Sequence, residues 1–186
     1  MYYKKKKTGL KRSIRQVYLG NGGFMLYLKM MEVLKTDAEH LSRRVVKDLL
    51  NRVETEYHKR YSEDIMYERV YDVYSTLGYW LDRARPKEEI QKHFKEMGKK
   101  RFDDGIPMHE VIMFLMLIKR HLWLYVLEKH FFESSYELMK SLEINNRIVL
   151  FFDRAILAAT IGYEEELVKY VKSSSQSLLS KFFKKK

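Results

Sequence analysis

Cysteine is absent from this 186-residue chain, which excludes disulfides, thiol catalysis and thiolate metal sites. Proline occurs only twice, at Pro86 and Pro107, so almost nothing along the chain interrupts a long helix. The eight glycines cluster once, at Gly20-Asn21-Gly22-Gly23. No strand precedes that cluster and it has neither a Lys-Ser/Thr pair nor GxGxxG spacing, so it reads as a hinge rather than a phosphate cradle. A membrane-spanning run of about 20 apolar residues is also missing. Gly22 to Val33 is short and broken by Lys29, and Val111 to Leu127 carries Lys119, Arg120 and His121 in its middle, where charge is costly in lipid. The basic opening MYYKKKKTGL is not followed by an apolar h-region. A cytoplasmic protein is expected, with membrane-peripheral attachment as a variant.

What the chain does have is a 46% hydrophobic fraction and 14% aromatic residues, enough for a substantial core. Its net charge of +11 is unevenly placed. Residues 1–15 hold seven Lys/Arg and residues 168–186 hold six Lys, neither with an acid, so residues 16–167 sum to −2. A basic excess confined to the ends suits loose attraction to an anionic membrane surface, an acidic partner or nucleic acid, the plain alternative being that the tails only solubilise the chain. Of these, nucleic acid is disfavoured as a partner, because a nucleic-acid-binding fold carries its basic stripe on the element that meets the backbone.

Hydrophobic spacing of three, four and seven recurs throughout and strand-like alternation does not. The expected fold is all-α, a bundle of about five to seven helices around a buried central helix at about 107–132. Residues 1–36 form a basic lead-in with short helices, including Leu10 to Leu19 and Phe24 to Lys35. Residues 37–172 form the helical domain and 173–186 a basic Ser/Lys/Phe tail. Thr36 or Asp37 caps a helix predicted to reach about Tyr61, with Leu41, Val45, Val46, Leu49, Leu50, Val53 and Tyr57 on its apolar face. Ser62 caps Ile65 to Ala84. Pro86 opens the next helix, whose first turn holds Glu88 and Glu89 and which stops at Gly105, a C-cap. Pro107 pre-sets the first turn of the central helix. There Val111 to Ile118 fill every face of two turns, which predicts a helix surrounded by others. Ser134 or Ser135 caps the last helix, with a candidate kink at Asn145-Asn146 and an end at Ser173-Ser174-Ser175. The small residues Ala155, Ala158, Ala159 and Gly162 would let another helix approach closely.

The chemistry-bearing residues form few groupings. No Glu-x-x-His pattern of a di-iron bundle occurs, and His109-Glu110 lacks the second histidine of a zincin helix. Glu54 with His58, and Glu89 with His93, are four apart and are expected to pair across one turn. His121, with Trp123 beside it, is the candidate cofactor-binding position for haem or another small ligand, or for proton sensing. The plain alternative is that Lys119, Arg120 and His121 meet carboxylates such as Asp104 or Asp153. The aromatic residues are expected in the core. No catalytic constellation is present, so an enzyme is not expected. In the tail, Lys181, Phe182, Phe183 and Lys184 interleave charge with large apolar rings, which suits a membrane interface or a partner groove.

Three stretches carry a family resemblance: RVYDVYSTLGYWL at Arg69 to Leu81; the pattern G-x-x-R-x-x-x-G-I-P at Gly98, Arg101, Gly105, Ile106 and Pro107, with Arg120-His121-Leu122-Trp123 following; and Phe152-Asp153-Arg154-Ala155. Together they resemble the RsbRD-type N-terminal sensory domain, the helical input module of RsbT co-antagonist proteins and of some bacterial sensor histidine kinases. The resemblance marks Gly98, Arg101, Gly105, Pro107, Arg120, Asp153 and Arg154 as motif residues. It implies a non-enzymatic, homodimeric bacterial signal-input domain, acting through contact with a signalling protein in stress or two-component signalling, whose last helix leads into an output module. Here the stretch after Tyr170 is a Ser-rich basic tail, so output is expected to pass through a partner or a surface.

Overall fold

The structure, a computed structural model, describes residues 28–32, 34, 36–81, 87–129 and 134–183, from 176 onward by backbone alone. Residues 28–32, 34 and 36 are helical, and Met30 and Leu34 are buried. Five α-helices follow: α1 Ala38–Asn51, α2 Glu63–Trp80, α3 Lys87–Asp103, α4 Met108–Glu128 and α5 Ser135–Phe183, with a 3-10 segment at Val53–Arg60 between α1 and α2. Among the described residues there is no strand, and no helix is long and apolar enough to cross a membrane. The chain is the all-α bundle its spacing predicts.

α4 is its centre, packing against α1, the 3-10 segment, α3 and α5. It buries Val111, Phe114, Leu115, Leu117, Ile118, Leu122, Tyr125 and Val126. Tyr74 of α2 reaches this core and donates its hydroxyl to the Ile118 carbonyl at 2.8 Å, which satisfies a fully buried polar tip. The helix is not surrounded, however. Met116, Leu124 and Leu127 remain exposed, so the all-round apolar run covers more than the core asks for.

Four other local expectations need correction. The helix from Asp37 ends at Asn51, because Arg52 turns extended at ψ 145°. That rotation of the chain throws Val53, assigned to the apolar face, out to 83% exposure. Pro107 stands before the first turn of α4 rather than in it, with ψ 143°. No break occurs at Asn145-Asn146; Ile144 and Ile148, one turn apart, are both buried and hold the helix down on either side. Nor do the three serines end α5, which continues to Phe183. Ser173 and Ser175 return their hydroxyls to the Tyr170 and Val171 carbonyls, each at 2.9 Å, a back-bonding that a continuing helix accommodates. Leu10 to Leu19 and the Gly20–Gly23 cluster lie outside the described residues.

Candidate functional site

Two features stand out from ordinary packing: a buried polar junction at the base of α4 and an exposed apolar face on α5.

The junction begins with a turn. Gly105 adopts φ +70°, its N–H bonds to Phe102 O at 2.9 Å and the Ile106 N–H to Arg101 O at 3.0 Å. This doubly bonded stop requires a residue that tolerates the left-handed region. Ile106 is then buried beneath the turn. Pro107 follows and has no N–H, so Glu110, three residues on, cannot close the reciprocal capping box that a glutamate in that position makes. Its carboxylate turns to the 3-10 segment instead. That segment bends at Thr55 (φ −126°, ψ 37°), which frees the N–H groups of the turn after the bend. Glu110 accepts from Tyr57 N at 2.9 Å and His58 N at 3.2 Å, and its Oε2 lies 2.7 Å from His58 Nδ1. Both side chains are 2% exposed. His58 also stacks on Phe114. The expected His58–Glu54 pair is therefore replaced by one across two elements.

The motif arginine stands beside this pair. Arg101 is buried and donates to Asp104 at 3.1 Å; Arg69 of α2 donates to the same oxygen at 2.9 Å and lies 4.2 Å over the Tyr61 ring. Arg69 Nη1 is buried with no partner among the described residues. Burial holds the His58 imidazole below its usual range; Glu110 works against this, and the Arg101 and Arg69 charges reinforce it. The folded pKa thus lies under the unfolded value of 6.5, and on acidification the unfolded chain takes up a proton that the folded one refuses. Stability from this group is complete above about pH 6.5 and is lost as pH falls toward the lower folded value. His58→Gln is expected to flatten the fall in urea midpoint between pH 7.5 and 5.5; an unchanged fall would place the acid sensitivity elsewhere.

The remaining candidates separate. His121 Nε2 is 2.9 Å from Asp48 Oδ2, and Asp48 also accepts from Arg52 Nε at 2.8 Å. Burial opposes ionisation of Asp48, but the Arg52 and His121 hydrogen bonds together outweigh it and keep the carboxyl below its ordinary range. Trp123 is half-buried against the core. Two residues apart on one helix, it and His121 point to different sides. Lys119 meets Asp153 at 3.2 Å, pairing α4 with α5 as expected. Glu89 accepts from Tyr79 at 3.1 Å while His93 lies against Trp80, so that helical pair is not formed either. Gly98 faces the Ala159 backbone. Arg120 and Arg154 are exposed. Lys181, Phe182 and Phe183 are on the last turn of α5, and their side chains, with Lys184, lie outside the described residues. No cluster of three or more His, Asp or Glu able to hold a metal occurs among the described residues.

On α5 the inner face (Phe151, Phe152, Ala155, Ala159) is buried, and most of it meets α3. The outer face is apolar too: Leu150, Leu157, Ile161, Val168 and Val171 are 42–59% exposed. Beside them, between α3 and α5, is a groove of about 220 Å³ lined by Gln91, Lys95, Arg154, Leu157, Ala158 and Ile161. Sequence reasoning did not find Glu110 and Arg69 as junction residues, nor α5's second apolar face. The available signals were a lone carboxylate directly before an apolar run and the repeat of apolar residues at seven.

No curated protein and no solved structure matches the chain. A family profile does, over residues 39–170, which takes in α1 through the body of α5, the junction and the outer face as far as Val168. That span is most of the chain and contains every motif residue, so the chain belongs to the family of the RsbT co-antagonist protein RsbRD N-terminal domain, a family of regulatory domains.

Proposed function

We propose that the chain is a bacterial stress-signalling input domain that works without catalysis, through protein contact, with a homodimer as its working state and the outer face of α5 as the contact surface. The single observation that carries this reading is the apolar stripe Leu150, Leu157, Ile161, Val168 and Val171 left exposed on a helix whose opposite face is already buried. Solvated faces of long helices are normally polar, and contiguous apolar patches of this kind mark interaction sites. At about 1.5 Å per residue the 49-residue helix is roughly 70 Å long and continues past Tyr170, whose ring meets Phe102 of α3. Family membership supports a regulatory role and the choice of a protein partner.

The test is association. Wild-type protein is expected to sediment as a dimer at micromolar concentration, and Leu157→Glu with Ile161→Glu to sediment as a monomer with unchanged helicity. Two buried, unpaired carboxylates at the centre of an interface should weaken it at least a hundredfold, about 2.7 kcal/mol. A wild-type monomer at tens of micromolar would remove the dimer from this reading.

A further inference from the structure

The partner's orientation is written into the outer face of α5. Resting on the reading that this face binds a second copy, we propose that the two α5 helices pack antiparallel through their outer faces and cross at the level of Ala159. Leu150, Leu157, Glu164 and Val171 are spaced by sevens, as are Arg154, Ile161 and Val168. The two series interleave at three and four, which is the seam of a helix pair. The seam is symmetric about Ala159 in a chemically specific way. Leu157 and Ile161 are equidistant from it, Leu150 and Val168 are equidistant from it, and so are Arg154 and Glu164. In an antiparallel pair centred there, leucine meets isoleucine, leucine meets valine, and each arginine meets a glutamate. A parallel, in-register pair sets Arg154 against its own copy and Glu164 against its own copy, so two like-charged pairs lose water for no compensation.

The surroundings favour the same occupant. Arg154 and Glu164 are exposed, and neither has a hydrogen bond or ion pair among the described residues. The neighbouring Glu165 is by contrast held by Lys95 at 2.6 Å. The groove between α3 and α5 lies at the crossing point, with Ala158 on its wall and Leu157 and Ile161 at its edge. A side chain from the partner's equivalent turn can enter it, and Arg154 on its rim is placed for the partner's glutamate. Antiparallel packing also sends the two C-terminal ends in opposite directions, so the dimer would present them singly rather than side by side.

The absence of native cysteine makes the test free of background. Leu150→Cys and Val168→Cys chains are purified, mixed, allowed to exchange subunits under reducing conditions and then oxidised. Eighteen residues of helix separate the two positions, about 27 Å, whereas a disulfide spans only about 6 Å between Cα atoms. Antiparallel packing predicts covalent dimer in the mixture and none from either variant alone. Cross-linking of a variant with itself would establish parallel packing and overturn the proposal. A dimer by sedimentation with no cross-link in any combination would overturn the crossing point. A monomer throughout would defeat this proposal and the dimeric reading together. Charge exchange gives an independent measure. Arg154→Glu should weaken the dimer at least tenfold, and adding Glu164→Arg should restore it. In a parallel pair the double exchange leaves like charges facing and the single one changes nothing.

Discussion

Glu110→Ala is expected to destabilise the fold by about 3–5 kcal/mol, a large part of the 5–15 kcal/mol available to a domain of this size. The carboxylate is 2% exposed and accepts from two backbone N–H groups and the His58 ring. Its removal leaves two buried donors on His58 and the half-buried Tyr57 N–H without acceptors, each buried one costing about 1–3 kcal/mol. It also leaves the Arg101 and Arg69 charges near His58 with Asp104 as their one hydrogen-bonded carboxylate. The cost belongs to the orphaned groups rather than to the strength of the bridge. That distinction can be measured: replacing His58 and Glu110 together by leucine removes the buried ring and the charge, leaving only the backbone donors, and should cost less than Glu110→Ala alone. Urea unfolding followed by far-UV circular dichroism supplies both numbers. A cost below about 1 kcal/mol for Glu110→Ala would mean that water reaches the junction and that it is not closed.

How much of this was legible beforehand depends on the range of the interaction. Features set by neighbours in sequence were readable. Ser62 caps α2, accepting from Ile65 N at 3.4 Å; Gly105 is the left-handed stop before Pro107; and the small residues of α5 do receive another helix. The His58–Glu110 pair was not readable, because its partners are 52 residues apart. A histidine four residues from Glu54 offered a local partner that helical spacing makes plausible. What removed that option was the extended turn at Arg52, which nothing in the residues around Asn51 announces: no proline or glycine stands there. The three serines in α5 misled for a related reason. Serine weakens a helix on average, but here two of the hydroxyls bond back to the preceding turn. The second apolar face of α5 was visible as residues but not as a surface, since spacing alone does not tell which of two apolar stripes a core will take. The answer lies in the inner stripe's alanines and glycine, which admit α3 as the outer stripe's leucines could not.

That close approach yields the second large effect. Gly98→Ala and Gly162→Ala are each expected to cost about 3 kcal/mol, the upper part of the range for an overfilled core, although alanine in a helix is normally favoured over glycine by about 1 kcal/mol. A Cβ on Gly98 would stand 1.9 Å from the Ala159 carbonyl oxygen, and one on Gly162 would stand 2.0 Å from the Lys95 carbonyl oxygen. The contact is reciprocal: each helix offers a glycine to the other's backbone, at a separation where Cα–H to carbonyl contacts form. A flexible side chain could swing aside, but a carbonyl oxygen moves only with its helix, so either methyl group must push α3 and α5 apart. The two costs should therefore not add, since the first separation relieves part of the second clash. Two other glycines set the scale. Gly105→Ala meets nothing within 4 Å but has φ +70°, and should cost about 1–2 kcal/mol of backbone strain alone. Gly78→Ala would meet only the Met31 sulfur at 3.3 Å, an adaptable neighbour, and should be close to neutral. Thermal and urea unfolding of the four variants should rank Gly98 and Gly162 first, then Gly105, then Gly78. A Gly98→Ala protein as stable as the parent would show that α3 and α5 are not in backbone contact. The inner face of α5 would then be free to turn, and the outer stripe would lose the fixed position that its pairing with a second copy requires.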